Sequence, residues 1–245
     1  MKKIQRGYSP ELGMVDFGQF SDESGENVKV ALMRHAKGSG ETQMTVKNAA
    51  EVLHPKVALL VGICETMKPE MAKLGDVVIS AKLATYKVEC SRDDDTFEYN
   101  CESKEKVSPK MGKLILSAAD GWNPPLKDPN SFEVKVHQQA LMLSGSGFIK
   151  NKKRVNELKD KFPNAVAVEI KGKGLYKAAH DLEMEWFIIK GVSDLAGGSD
   201  LEKVANLWNR FASVMATSVV HNTFKYPTVL KGWPHYKEAK DTQGM

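Results

Sequence analysis

The segment AVAVEIKGKGLYKAAH, residues 165–180, sets Glu169, Lys171 and Lys173 among Gly172 and Gly174, where an apolar run passes into a helical pattern. On an extended backbone, residues two apart project to one side, so Glu169 and Lys171 share a face. They could meet a ligand there or form a solvated ion pair. IIKGVSDLAGG, residues 188–198, ends an apolar strand in Ser193 and Asp194, ahead of Gly197 and Gly198. A carboxylate at a buried strand end could hold a proton for general acid work; it could equally cap the following turn. In VGICET, residues 61–66, Gly62 permits close backbone approach and Cys64, Glu65 and Thr66 are polar. The plain alternative is an ordinary strand exit. In LSGSGFIK, residues 143–150, small residues lead into Phe148, whose ring could stack on a flat ligand or fill core. RHAKGSG, residues 34–40, places Arg34 and Lys37 beside glycines that could cradle phosphate through backbone N–H groups. It lacks the full P-loop pattern.

The elements that must position these residues alternate. Met14–Phe20 and Val28–Met33 read as a β-hairpin. Thr42–Leu53 has helical spacing and ends at Pro55. VALLVG, residues 57–62, is a continuous apolar run of the kind covered on both faces in a parallel sheet. Leu74–Ser80 and Leu83–Val88 read as separate strands, and residues 91–108 as charged, irregular and exposed. Helices are expected over Lys110–Ala119, Asn151–Lys161 and Gly174–Leu182. Strands are expected over Phe132–His137, Ala140–Leu143, Ala165–Val168 and Trp186–Lys190. Leu201–His221 is the clearest helix, with Leu201, Val204, Trp208, Phe211, Met215 and Val219 on one apolar face. The tail after it reads as irregular, pinned by Trp233. Strands alternating with helices, and no repeat or linker, predict a single α/β domain.

Composition narrows the partners. The chain has 245 residues, 42% of them apolar, and 35 basic residues against 31 acidic ones. That balance argues against a nucleic-acid partner. The three cysteines, Cys64, Cys90 and Cys101, have no metal-ligand spacing, and the six histidines form no ligand pattern, so no metal and no cofactor are expected. A reduced compartment fits the cysteines. The start MKKIQRGYSPELG has no apolar core of a signal peptide. No apolar run approaches the roughly 20 residues that span a bilayer. The expected setting is cytoplasmic, without a membrane partner.

Taken in order, these segments resemble the nucleoside phosphorylase family, and within it the methylthioadenosine/S-adenosylhomocysteine nucleosidases and their eukaryotic relatives. VALLVGICETMKPEMAKLGDVVIS resembles the glycine-rich strand end followed by the family's GDVVIS segment. LSGSGFIK resembles the purine-binding SGDAFI segment, AVAVEIKGKGLYKAAH resembles AVEMEGAA, and IIKGVSDLAGG resembles VIRAISDLAD. The resemblance implies a three-layer α/β/α fold around a mixed sheet. It implies a homo-oligomer, with a dimer favoured, and cleavage of an N-glycosidic bond. It assigns Phe148 to stacking on the purine, the Ile149 backbone and Ser193 to binding it, and Asp194 to protonating or hydrogen-bonding purine N7. Glu169, Ile170, Lys171, Gly62, Ile63, Cys64 and Arg34 fall on the ribose and phosphate side.

The departures from the family are chemical. Lys171 stands where the ribose-binding glutamate falls, so a cation replaces an anion. Leu60 and Ile63 stand where phosphorylases place an arginine and a serine, which argues against phosphorolysis. Glu65 and Thr66 replace small residues. Residues 1–12 read as an extension without the family's first strand and helix, whose start carries the water-handling glutamate; Glu11 is its only carboxylate. Residues 13–225 then form the domain and 226–245 the tail. The expected function is purine nucleoside or nucleotide binding with impaired catalysis, Lys171 and Lys173 favouring an anionic ligand. The alternatives are an active nucleosidase releasing adenine, with Asp194 as acid, and a structural subunit that keeps the family's oligomer surface.

Overall fold

The computed structural model describes residues 2–21, 27–34, 38–90, 97–128, 130–145, 149, 151–198 and 204–237. Two sheets organise them. In the first, β1 (Lys2–Ser9), β2 (Gly13–Ser21) and β3 (Asn27–Met33) form an antiparallel meander. The hairpin expected from alternation is β2–β3, with Val15 opposite Met33 and Phe20 opposite Val28. The extension 1–12, read as lacking a strand-plus-helix pattern, holds β1. Tyr8 lies opposite Met14, and the Arg6 guanidinium makes two hydrogen bonds to Asp16, at 2.7 and 2.8 Å. Strand pairing, which local pattern does not encode, stabilises this polar segment.

The second sheet is mixed and six-stranded, in the order β6-β5-β7-β8-β4-β9. It comprises β4 (Val57–Thr66), β5 (Val77–Cys90), β6 (Phe97–Lys106), β7 (Val136–Ser144), β8 (Ala165–Glu169) and β9 (Glu185–Leu195). Residues 77–80 of β5 also pair antiparallel with β9, which brings the far end of the sheet back against β5. The apolar runs behave as their composition requires: all five residues of β8 are buried, as is most of β9.

Helices flank the sheet: α1 (Ser39–Leu53), α2 (Pro109–Leu116), α3 (Lys152–Lys161), α4 (Gly172–Asp181) and α5 (Ala205–Phe224). The Ser108 hydroxyl accepts from the Met111 N–H to start α2, with Pro109 in the first turn, and Asn151 accepts from the Lys153 N–H to start α3. The larger core cluster joins Leu83, Ile188 and Ile189 to Met111, Leu175, Met215 and Val219. This is the layered α/β fold with a mixed sheet that the resemblance implied.

Three expectations are corrected. Within 91–108, read as irregular, Phe97–Lys106 is an edge strand on β5. Its charged residues are tolerated because an edge strand keeps solvent on one side. Val77–Ser80 and Leu83–Val88 belong to one strand, which starts after residues 74–76 and whose pattern breaks at a register shift between Ser80 and Lys82, where the Ser80 hydroxyl donates to the Lys82 carbonyl at 2.8 Å. Likewise β7 is one strand across Val136–Ser144. The tail is pinned as expected: Trp233 is buried with the Lys110 ammonium 4.0 Å above its ring, and the Tyr236 N–H donates to Pro55. Among the described residues, no helix is long and apolar enough to cross a membrane.

Candidate functional site

The ends of β4, β8 and β9 meet around a cleft of about 710 Å3. Its lining includes Gly62, Ile63, Cys64 and Glu65 from β4, Glu169 from β8, Ile170 and Lys171 from the turn into α4, and Lys190, Ser193 and Asp194 from β9. Ile149, Asn209 and Ser213 complete much of it. So four of the five segments read as candidate sites contribute to one volume, and the described residues of RHAKGSG do not.

The turn from β8 into α4 is built on Glu169. A helix start leaves backbone N–H groups without partners. The Glu169 carboxylate, buried at the strand end, accepts from the Lys171 N–H at 2.8 Å and the Gly172 N–H at 2.7 Å. Gly172 is required: a Cβ there would lie 2.7 Å from both Glu169 Oε1 and Ile188 Cδ1. Gly174 lets α4 meet α1, since a Cβ would lie 1.9 Å from the Ser39 carbonyl oxygen. Glu169 is therefore a capping carboxylate, and its face is shared with the Lys190 ammonium, 3.7 Å away. Both side chains of this pair are almost fully buried, at 4% and 2% exposure. Burial pushes the Lys190 amine down from its ordinary value, against the opposing pull of Glu169. Gly62 leaves room for it, for a Cβ would sit 3.3 Å from Lys190 Nζ.

Lys171 lines the cleft and, among the described residues, makes no salt bridge. Lys173 does not line it; its ammonium pairs with Glu102 on β6, and its N–H donates to the Ser144 hydroxyl. Arg34, at the end of β3, is exposed and outside the lining. Phe148 and Lys37 lie outside the described residues. Ile149 is buried beside the cleft, its carbonyl accepting from the Gly197 N–H at 2.7 Å.

Across the cleft, β4 and β9 run parallel, and after a register shift beyond Cys64 they place Glu65 opposite Asp194. Asp194 Oδ1 accepts from the Leu195 N–H at 2.8 Å. Glu65 Oε2 is buried with no hydrogen-bond partner among the described residues. Burial first, and the Asp194 charge second, push the Glu65 carboxyl up to about 7. The Cys64 thiol, pushed up to about 12 by burial, stays protonated and unreactive near neutrality.

Sequence reasoning named Glu65 as a polar residue of VGICET and as a departure from the family, without an acid role, and did not single out Lys190. A signal for Lys190 existed: it is a lysine inside the apolar run WFIIKGV, a position that needs a buried partner. The helical contributors Asn209 and Ser213 carry no such mark.

Comparison with known proteins gives a consistent picture. The model of the phosphorylase superfamily matches residues 17–221. A death domain-containing ATP nucleosidase from Amphimedon queenslandica is 26% identical over 210 residues, which cover 79% of this chain but only 38% of that protein. The 5'-methylthioadenosine/S-adenosylhomocysteine nucleosidase of Maridesulfovibrio salexigens is 24% identical over 182 residues, 73% of this chain and 74% of its own. Among solved structures, the corresponding nucleosidase from Colwellia psychrerythraea in complex with adenine superposes with a TM-score of 0.72 at 18% identity, covering 96% of this chain and 90% of that one. The enzyme from Neisseria meningitidis, solved with methylthio-immucillin-A, gives 0.68 at 17% identity, covering 92% and 90%.

Proposed function

Because this chain belongs to the phosphorylase superfamily, we propose that its cleft binds a purine nucleoside or nucleotide and that ribosyl cleavage there is impaired. The observation that carries this reading is the presence of Lys171 in the cleft lining. Lys171 faces the cleft, and Glu169, the adjacent carboxylate, is consumed by the helix cap and by Lys190. Cleavage of an N-glycosidic bond builds positive charge on the sugar. An ammonium group opposes that charge where the family uses an anion. Loss of one such interaction costs on the order of 3 kcal/mol, or about 100-fold in rate. The same ammonium attracts a ligand phosphate.

Three residues assigned to the base support a purine ligand. Ser193, Asp194 and Ile149 line the cleft, and purine ligands fill this fold in the solved adenine and methylthio-immucillin-A complexes of its relatives. Hydrolytic release of adenine is the second reading. Glu65 favours it, as a carboxyl that still carries a proton near neutral pH and could serve a leaving base.

Incubating the protein with adenosine, methylthioadenosine, AMP and ATP and assaying free base separates the two; rapid base release overturns the impaired reading. A thermal-shift screen with the same compounds tests binding. A ligand at 100 times its Kd stabilises by about 2.7 kcal/mol, and no shift with any of them favours a structural role in an assembly. Lys171→Glu is expected to weaken AMP about tenfold while leaving adenosine within about threefold, because a like charge then faces the phosphate. Equal losses for both would place the phosphate elsewhere.

A further inference from the structure

The Lys190 side chain crosses from β9 over Gly62 of β4 toward Glu169 of β8. Its Cδ and Nζ lie 3.9 and 3.3 Å from where a Gly62 Cβ would stand, so the missing side chain leaves a gap beside the amine. Glu169 is 3.7 Å away, beyond hydrogen-bond length, and its two oxygens already accept from the Lys171 and Gly172 N–H groups. Among the described residues, none accepts a hydrogen bond from Lys190 Nζ. Lys190 and Gly62 nonetheless both line the cleft, and Lys171 is the second lysine of that lining. We propose that Lys190 is a covalent carbonyl-binding residue: its amine condenses with the aldehyde of a phosphorylated ligand in the cleft, and Lys171 receives the phosphate. The phosphate part rests on the anionic-ligand reading above; the condensation does not.

A lysine reacts this way when its amine is desolvated, or set beside another cation, within reach of a ligand. Burial pushes the Lys190 amine down, Glu169 and Cys64 oppose that push, and Lys171 adds to it. The Gly62 gap gives a carbonyl carbon a place beside Nζ. The nitrogen bonds to that carbon, the carbonyl oxygen leaves as water with two protons of the ammonium, and nothing is oxidised or reduced. The protonated imine carries the same single positive charge as the ammonium it replaces. Glu169 therefore keeps its counter-charge, and the buried pair survives the reaction.

The two lysines then select a ligand class. An open-chain sugar phosphate carries both required groups, an aldehyde for Lys190 and an anion for Lys171. The α4 start itself offers that anion little. Its Lys171 and Gly172 N–H groups are held by Glu169 and its Lys173 N–H by the Ser144 hydroxyl, so the Lys171 side chain is left to bind the phosphate.

Reductive trapping tests this. The full chain is incubated with cyanoborohydride and either glyceraldehyde 3-phosphate or glyceraldehyde; the reductant adds hydride to the imine carbon and fixes the ligand as a secondary amine. Peptide mass spectrometry then locates it. At about pH 8, Lys190 is expected to take at least about tenfold more label than any other lysine, since an amine of ordinary pKa, about 10.4, is almost wholly protonated there. Its labelling saturates with concentration, and the phosphorylated aldehyde labels it about tenfold faster than glyceraldehyde. Lys190→Arg keeps a cation beside Glu169, and Gly62→Ala fills the gap beside Nζ; each is expected to lose the label while still melting cooperatively. The wild-type map alone decides the case if a variant does not fold. An unlabelled Lys190, as for a lysine that is only a counter-charge, overturns the inference, and so does label scattered over the lysines without saturation. If AMP still raises the melting temperature then, the nucleotide reading stands. Equal labelling by the two aldehydes overturns the phosphate part, and the anionic-ligand reading with it.

Discussion

Glu169→Ala is expected to lower the unfolding free energy by about 3–5 kcal/mol, the usual cost of breaking a buried ion pair by removing one partner. Two losses combine. The Lys171 and Gly172 N–H groups lose their acceptor at the start of α4. The Lys190 ammonium, 3.7 Å from the carboxylate and almost wholly buried, loses its counter-charge. The second loss has a distinctive pH signature. Lys190 titrates below its ordinary value in the folded protein. The unfolded chain therefore binds more protons in the window beneath 10.5, and stability rises with pH there. Removing Glu169 widens the window, so the deficit of Glu169→Ala is largest near pH 7 and shrinks toward pH 10. Adding Lys190→Met should recover more than half of the loss, because a buried apolar side chain needs no partner. Denaturant unfolding of the single and double variants at pH 7 and 9.5 measures this. A deficit unchanged by pH and by Lys190→Met would mean that only the cap matters.

Gly191→Ala is expected to destabilise by about 3 kcal/mol or more, enough to abolish folding in a marginal protein. Gly191 lies inside β9, between Lys190 and the Ser193–Asp194 pair. A Cβ there would lie 2.1 Å from the Ala212 carbonyl oxygen and 2.8 Å from its Cα, so α5 itself must retreat rather than a side chain. The same retreat withdraws Asn209 and Ser213 from the cleft, so any folded remnant should also lose ligand binding. Gly112→Ala is the control. Gly112 lies in α2, where a Cβ would meet nothing within 4 Å, and alanine should be neutral or stabilise by up to about 1 kcal/mol. Thermal melts followed by circular dichroism compare the two. Equal midpoints would show that β9 and α5 are not in this close contact.

The sequence by itself determined the alternation of strands and helices, the buried runs at Ala165–Val168 and Trp186–Lys190, and four of the segments that line the cleft; Val57–Gly62 is a strand as read, but of that run only Leu60 is fully buried. Those are properties of one stretch at a time: apolar periodicity reports burial, and glycine reports close approach. Edge strand β6 escaped because its burial depends on β5, and β5 looked broken because a register shift interrupts its pattern. The tertiary structure alone decided that Glu169 closes a helix and neutralises Lys190, that Lys173 turns away to Glu102, and that Glu65 stands opposite Asp194. Each depends on the register between strands far apart in the chain. Charge acts over a few ångströms of space, and one residue's slip in that register would send every one of these side chains to the other face.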